Sequence, residues 1–225
     1  MPPSHLLYAH GFASGPQSSK GKALHRHLAE RGHTLELLDL RVPDPNHLRL
    51  SAMIDVVRGA IPGEETAIAM GSSLGGLTVA RAAERDPRIR GVLLIAPAFR
   101  LVPRWRQRMT EGEWSAWKAT GEKKFPDYSY GSASELDVDF GFIDDATKID
   151  GDAGDDADGA WPEVRVPTVV IQGSNDAVVD PALARTFARR SNLVELIEVA
   201  DDHQMLASIE VIKAQADALI DRLGA

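Results

Sequence analysis

The sequence predicts an α/β protein with a mostly parallel sheet of about six strands flanked by helices, and a helical or loop-rich cap inserted after the fourth strand. Three observations support this prediction. Short apolar runs alternate with longer amphipathic segments, which is the pattern of repeated strand–helix units. The apolar runs are continuous, as in strands that are buried on both faces of a parallel sheet. One long stretch without a strand signal interrupts the alternation.

The strands are predicted from short runs rich in leucine or β-branched residues, and Gly11 ends the first of them. In chain order the predicted strands are residues 6–10, 34–40, 66–70, 91–96, 168–172 and 194–199. Helices are predicted at residues 19–31, 48–60, 74–85, 181–190 and 208–223. The helix at 181–190 has the clearest start, because Asp180 is suited to cap it and Pro181 to occupy its first position.

The cap is predicted from the interruption, and it divides the chain into a core (residues 1–99 and 167–225) and a cap (residues 100–166). The cap contains all four tryptophans and nine of the thirteen aromatic residues. Such a segment is typical of a lid laid over one end of the sheet. A small subdomain with its own core is the alternative. As a lid, it would contribute Trp105, Trp114 and Trp117 to substrate binding.

Composition excludes several classes of protein. The formal net charge of −8 argues against a nucleic-acid-binding surface or a polybasic membrane anchor. The absence of cysteine excludes disulfides, thiolate metal sites and cysteine nucleophiles. Neither a signal peptide nor an apolar run long enough to span a bilayer is apparent. We therefore expect a cytoplasmic protein without nucleic-acid or membrane partners, and the oligomeric state stays open.

A candidate nucleophile lies at a strand-to-helix turn. The sequence Gly71-Ser72-Ser73-Leu74-Gly75 follows the third predicted strand and precedes a helix, which is the G-x-S-x-G pattern in its expected context. Glycines two positions on either side leave room for a strained backbone that exposes the central side chain. A simple glycine-rich turn is the alternative, but the context favours Ser73 as the nucleophile.

A serine nucleophile needs a base and an orienting carboxylate, in the chain order Ser, acid, His. Asp176 follows the predicted strand at 168–172, at the end of the sheet where ligands bind. Asp180 competes for this role, but it fits better as a helix cap. His203 follows the last strand and is the only histidine after Ser73, so it is the candidate base.

The oxyanion that forms during acyl transfer needs backbone N–H donors. We expect one from Leu74, directly after the nucleophile, and one from the loop that begins at His10. In that loop Phe12 is the first choice and Ala13 the second. His10 itself is expected to hold the loop by hydrogen bonding rather than to act as a base.

Together these residues resemble the α/β-hydrolase superfamily over the whole chain outside the cap. His10-Gly11-Phe12 is similar to its oxyanion segment, and the run H-G-F-x-S-x-P-x-S-x-K at 10–20 resembles small bacterial esterase-like hydrolases. The resemblance implies a six-stranded core that lacks the first two strands of the full family pattern. Ser18 and Lys20 match the narrower pattern without an evident mechanism; Ser18 is suited to cap a helix or to contact substrate.

The function predicted from these residues is that of a serine hydrolase acting on a small to medium carboxylic ester or thioester through an acyl-enzyme. No metal or organic cofactor is expected. Amides and C–C bonds stay open as substrates, because fold and triad do not determine the substrate. The alternative from another class is a non-catalytic ligand-binding or interaction protein on the same scaffold.

The net charge is concentrated in the cap. Residues 127–163 contain twelve acidic groups and one basic group, a local balance of −11, and the rest of the chain has a balance of +3. A calcium loop is disfavoured because the spacing does not reproduce the known ligand pattern. We expect a solvated acidic flap near the site entrance that disfavours strongly anionic substrates, unless Arg104, Arg106 and Arg108 offset it. These arginines are suited to bind an anion or, more commonly, to extend over apolar surface.

Overall fold

The structure is a computed structural model that describes residues 3–127, 134–151 and 159–225. Its strands, in chain order, are β1 (His5–Ala9), β2 (Leu35–Leu38), β3 (Ala67–Ser72), β4 (Ile89–Ile95), β5 (Glu122–Asp127), β6 (Ser134–Asp139), β7 (Thr168–Gly173) and β8 (Val194–Val199). Its helices are α1 (Ser19–Glu30), α2 (Leu50–Gly59), α3 (Leu74–Arg85), α4 (Leu101–Arg108), α5 (Glu111–Thr120), α6 (Gly141–Asp150), α7 (Pro181–Ala188) and α8 (Ile209–Leu223).

The predicted fold class is confirmed. Six strands form one parallel sheet in the order β2-β1-β3-β4-β7-β8, and the six strands expected from the sequence are all present in it. The five predicted core helices are also present, with ends that differ by a few residues. Asp180 caps α7 by accepting a hydrogen bond from the Ala182 N–H, and Pro181 follows it at the first helical position.

Helices cover both faces of the sheet, which explains the continuous apolar strands. On one face α1 and α8 pack against strand residues such as Tyr8 and Ile68. On the other face α2, α3 and α7 pack against residues such as Leu7 and Ala69. Because neighbouring strand residues point to opposite faces, each strand needs apolar side chains at consecutive positions.

The cap contains a β-hairpin that the sequence did not predict. β5 and β6 pair antiparallel, with Phe125 opposite Leu136, and they follow helices α4 and α5. The expectation of a segment without strands was wrong because these strands carry charges at most exposed positions and lack long apolar runs. A hairpin with one buried face requires apolar side chains only at alternate positions.

The cap and the sheet share one hydrophobic cluster. Phe142 of α6 stacks at 6.1 Å, centroid to centroid, against Phe12 of the loop after β1. The Trp105 ring of α4 lies edge-on to the same Phe12 ring, with centroids 4.9 Å apart. Buried residues of the cap belong to the same apolar cluster as α2, α3 and α7. The cap is therefore packed onto the core.

Acidic residues of the cap contribute to this docking. Asp139 forms a two-fold hydrogen-bonded ion pair with Arg49 at 2.7 Å, and Asp145 accepts hydrogen bonds from the backbone and hydroxyl of Ser51. Asp150 is fully buried and pairs with Arg81. The expectation of a wholly solvated acidic flap was wrong for these three carboxylates. The densest part of the acidic run, residues 152–158, lies outside the described residues.

Membrane spanning was tested on the helices that the structure describes. None of them combines the length and the apolar character that crossing a bilayer requires. The expected cytoplasmic location stays a prediction.

Candidate active site

The turn between β3 and α3 presents the Ser73 side chain. Ser73 has φ 53° and ψ −117°, a left-handed conformation that is strained for a residue with a side chain. Its backbone is held on both sides, since its N–H donates to the Ile95 carbonyl at 2.9 Å and its carbonyl accepts from Ala98 at 3.0 Å. A Cβ at Gly71 would collide with the Gly75 carbonyl, and one at Gly75 with the Ala9 carbonyl. The motif glycines thus permit the close packing that holds Ser73.

His203 joins Ser73 to Asp176. The Ser73 hydroxyl lies 3.1 Å from Nε2 of His203, and Nδ1 of His203 lies 2.8 Å from Oδ2 of Asp176. Asp176 follows β7 and His203 follows β8, so the carboxyl ends of three parallel strands bring the residues together. The structure therefore places all three sequence-predicted residues within hydrogen-bond distance.

Asp176 is held as a carboxylate by several donors. Burial raises its pKa, but the hydrogen bond from His203 and those from the N–H groups of Val179 and Val178 outweigh this effect, so the pKa lies below the ordinary value. Gln172 also donates to Oδ2, at 3.0 Å. Gln172 was not among the predicted site residues, although a polar residue at the end of an otherwise apolar strand is a signal that marks it.

The loop that carries His203 is fixed by carboxylates and by one lysine. Asp201 accepts a hydrogen bond from the Ser208 N–H, and Asp202 accepts one from the Gln204 N–H, each at 2.8 Å. Lys20 reaches across from α1 and donates to the Gln204 carbonyl at 2.9 Å. Lys20 thereby contacts the residue next to His203.

Ser18 caps α1, which is one of the two roles expected for it from the sequence. Its hydroxyl accepts a hydrogen bond from the Gly21 N–H at 3.3 Å. Because Ser18 also lines the cleft beside Ser73, capping does not exclude a contact with substrate.

Two backbone amides are available beside Ser73. Leu74 is the first residue of α3, so its N–H has no acceptor within the helix. The loop after β1 lies directly over Ser73, since a Cβ at Gly11 would be 3.4 Å from the Ser73 Cβ. Phe12 and Ala13 follow in this loop, and Ala13 has φ 48°. The assignment of Phe12 and Leu74 to an oxyanion hole stays a prediction.

His10 holds the loop after β1 by hydrogen bonding, as was expected from the sequence. Its Nδ1–H donates to the Gly11 carbonyl at 2.8 Å, and its Nε2 accepts from the Leu40 N–H at 3.0 Å. Burial lowers the pKa of His10, although the Gly11 carbonyl and Asp39 oppose this effect. A neutral imidazole satisfies both hydrogen bonds, so His10 serves as a buried connector between β1 and the segment after β2.

A cleft of about 1030 Å³ opens over Ser73 and His203. Trp105 lines it, as predicted, and so do Met109, Phe125 and Leu206, which the sequence analysis did not single out. The prediction for Trp114 and Trp117 is corrected, because neither lines the cleft. Both are buried inside the cap, where the Trp117 indole N–H donates to the Val138 carbonyl at 2.9 Å.

Metal ligation was examined over the same part of the chain. Residues 3–127, 134–151 and 159–225 contain no group of three or more histidine, aspartate or glutamate side chains arranged to hold a metal ion. Of the carboxylates weighed for calcium, Asp145 and Asp150 are engaged with Ser51 and Arg81. Asp144 is exposed, and residues 152–158 of the run lie outside the described ranges.

Comparison with known proteins identifies a family and a fold. Residues 5–219 match the model of a family described as Uncharacterised protein family (UPF0227). No curated protein matches the sequence. Solved structures with the same fold include alpha/beta hydrolase domain-containing protein 10 from mouse, at 21% identity and a TM-score of 0.77, covering 97% of this chain and 90% of that one.

Two further structures are similar over nearly the whole chain. A putative hydrolase from Agrobacterium vitis S4 is 18% identical with a TM-score of 0.74, covering 98% of this chain and 91% of that one. The monoacylglycerol lipase of Paleococcus ferrophilus is 18% identical with a TM-score of 0.72, covering 98% and 96%. At these identities the likeness establishes the fold.

Proposed function

This chain belongs to the UPF0227 family and has the α/β-hydrolase fold, and from that premise we propose that it is a serine hydrolase of carboxylic esters or thioesters. The observation that carries the proposal is the continuous hydrogen-bonded relay from Ser73 through His203 to Asp176. A nucleophilic serine needs a base to take its proton and a carboxylate to orient that base, and this relay supplies both. The cleft above the relay supplies space for an acyl substrate.

The first half of the reaction forms an acyl-enzyme. The Ser73 hydroxyl donates its proton to His203 Nε2 as Oγ attacks the substrate carbonyl carbon. His203 then delivers that proton to the departing alcohol or thiol when the tetrahedral intermediate breaks down. Asp176 accepts from Nδ1–H, which selects the tautomer with a free Nε2 and stabilises the imidazolium.

The second half returns the enzyme to its starting state. His203 removes a proton from water as the water oxygen attacks the acyl carbon, and it returns a proton to Ser73 Oγ as the acid is released. In both halves the N–H groups of Leu74 and Phe12 would stabilise the oxyanion, which is worth about 10²–10³ in rate for a single donor.

Labelling with a fluorophosphonate probe tests the proposal directly. We expect the wild type to be labelled on one serine and Ser73→Ala not to be labelled. Ser72→Ala is the matched control, because Ser72 lies in the same turn but outside the relay, and it should still react. Absence of wild-type labelling, or equal labelling of Ser73→Ala, would favour the non-catalytic binding protein instead. Turnover of p-nitrophenyl esters of increasing acyl length then locates the preferred chain.

A further inference from the structure

One wall of the cleft is cationic although the protein is acidic overall. The first residues of α1 line this wall, and they include Lys20 and Lys22. Arg104 and Arg108 line the cleft from the cap side. Among the cleft-lining residues that the structure describes, there is no aspartate or glutamate. The electrostatic character of the cleft is therefore opposite in sign to that of the whole chain.

Lys20 has spare hydrogen-bond donors at this wall. One N–H of its ammonium group is used on the Gln204 carbonyl, at 2.9 Å, and a carbonyl does not neutralise a cation. Burial lowers the pKa of Lys20, and the charges of Asp202, Asp176 and Asp201 oppose this effect. Each of these carboxylates is committed to other donors, and within the described ranges none forms an ion pair with Lys20.

Tyr8 contributes a buried hydroxyl to the same wall. The Tyr8 side chain is 1% exposed, and its hydroxyl has no hydrogen-bond partner in the part of the chain that the structure describes. Ser18 and Ser72 lie beside it, but neither forms a hydrogen bond of normal geometry with it. Burial raises the pKa of Tyr8 to about 12, so the hydroxyl stays protonated and can donate. Because Tyr8 lines the cleft, this hydroxyl is an unsatisfied donor beside it.

The start of α1 adds backbone donors. Ser19 and Lys20 occupy its first two positions, where N–H groups have no acceptor within the helix, and its first turn contains no acidic residue. Such a terminus favours anions through its partial positive charge. Two lysines, a buried hydroxyl and a helix N-terminus thus converge on one side of the cleft.

Other parts of the cleft lining are apolar and aromatic. Phe12, Trp105 and Phe125 form a cluster with ring centroids 4.9–5.4 Å apart. Met109 and Leu206 extend this apolar lining. A substrate that fits this cleft has an apolar acyl group, which contacts the aromatic residues, and an anionic leaving group, which contacts the cationic start of α1.

We propose that the start of α1, with Lys20, Lys22 and Tyr8, is a subsite for an anionic group on the leaving part of the substrate. The group is a phosphate, sulfonate or carboxylate, and it would be attached to the alcohol or thiol that Ser73 displaces. This inference rests on the proposed hydrolase function and specifies its substrate class. It runs against the expectation that the acidic cap disfavours anionic substrates.

Three thioesters with the same butanoyl group and different leaving thiols test the subsite. The thiols are 2-mercaptoethanesulfonate, 2-mercaptoethanol and thiocholine, which are anionic, neutral and cationic. Because the chain has no cysteine, the released thiol is the only one that a disulfide reagent detects. At low ionic strength we expect kcat/KM for the sulfonate to exceed that for thiocholine about tenfold, and the ratio to fall with added salt.

Substitutions at the start of α1 and at Tyr8 test whether the preference for the anionic thioester arises at this subsite. Lys22 is exposed and tolerates Lys22→Glu at a helix start, and this change should lower the sulfonate-to-neutral ratio about fivefold. Arg26→Glu makes the same charge change on an exposed residue of α1 that does not line the cleft, and it should leave the ratio within twofold. Tyr8→Phe keeps the ring that packs against Gly21 and should lower the ratio about threefold.

The outcomes separate this proposal from the one on which it rests. Hydrolysis of all three thioesters at equal kcat/KM, or fastest hydrolysis of the thiocholine ester, would overturn the subsite and leave the hydrolase intact. Equal effects of Lys22→Glu and Arg26→Glu would also overturn it. Failure of the wild type to hydrolyse any thioester or p-nitrophenyl ester would remove both proposals.

Discussion

Ser73 has a left-handed backbone that only its surroundings maintain. The conformation costs on the order of 1–3 kcal/mol for a residue with a side chain. Hydrogen bonds from both sides of Ser73 and the absence of side chains at Gly71 and Gly75 allow it to persist. Backbone geometry at single residues therefore determines where the hydroxyl lies relative to His203.

Gly75→Ala should disrupt this geometry. The new methyl group would overlap the carbonyls of Ala9, the last residue of β1, and of His10, which follows it, and these cannot move without shifting the sheet. We expect ester hydrolysis to fall at least about 100-fold, as for a misplaced nucleophile, and the melting temperature to drop. Gly112→Ala is the control, because its methyl group meets open space in helix α5 and should stabilise the protein by roughly 0.5–1 kcal/mol. Unchanged activity of Gly75→Ala would contradict this reading of the turn.

The sequence predicted the meeting of Ser73, Asp176 and His203 because strand order alone brings the ends of β3, β7 and β8 to one edge. It did not distinguish the tryptophans that line the cleft from those inside the cap. The residues beside Trp105, Trp114 and Trp117 do not show which of the three rings faces the cleft. Only the packing of α4 and α5 against the hairpin separates them. Long-range packing of this kind leaves no local signal in one sequence.

At the scale of elements, a buried carboxylate joins three helices. Asp150, at the end of α6, accepts hydrogen bonds from Arg81 of α3 at 3.1 Å and from the N–H of Leu101 of α4 at 2.7 Å. Burial raises the pKa of Asp150 to about 6, although Arg81 opposes the effect. The junction between cap and core therefore depends on a group that titrates between the acidic and the neutral range.

The pH dependence of stability should reveal this junction. Between the unfolded pKa, near 3.9, and about 6, folded Asp150 keeps a proton that the unfolded chain has lost. The stability it contributes is thus fully present below pH 3.9 and is lost as the pH rises through 6. Relative to Asp150→Asn, the wild type should lose up to about 3 kcal/mol of unfolding free energy between pH 4 and 7. Urea titrations at each pH measure this difference.

A neighbouring carboxylate provides the control for that experiment. Asp144 lies on the exposed side of the same helix, and Asp144→Asn should track the wild type across the range. A difference between wild type and Asp150→Asn that stays constant with pH would contradict the assignment.

The β5–β6 hairpin shows why some strands are not predicted from the sequence alone. Only Leu136 and Val138 of β6 are buried, and the facing strand exposes Glu122 and Lys124. With so few apolar residues, the sequence of the hairpin resembles that of a polar loop. The hairpin is stabilised by helix α5, whose Trp117 indole donates a hydrogen bond to it. Its existence depends on the tertiary contact more than on strand propensity.

At the scale of the whole molecule, the boundary drawn at residues 100 and 166 separates sequence segments that share a core. One apolar cluster includes Leu7 of β1, Leu77 of α3 and Phe142 of the cap. Ion pairs such as Arg49–Asp139 cross the same boundary. We therefore expect core and cap to unfold together.

Two spectroscopic probes can test this cooperativity. All four tryptophans lie between residues 100 and 166, so their fluorescence reports on the cap. Far-UV circular dichroism reports mainly on the helices of the core. The two thermal transitions should coincide within about 1 °C, as for a two-state protein. A fluorescence transition several degrees below the dichroism transition would show that the cap melts independently.

The pairing of β4 with β7 also shapes how the chain assembles. Val92 pairs with Thr168. These neighbouring strands can therefore pair only when the chain between them, which includes the whole cap, closes into a loop. Contacts between residues so distant in sequence slow folding, because closing the loop costs entropy before strand pairing contributes its favourable free energy. During synthesis β4 stays an open edge until β7 emerges, which exposes it to pairing with other chains. Asp176 and His203, which complete the relay from Ser73, therefore follow the last two strands to be synthesised.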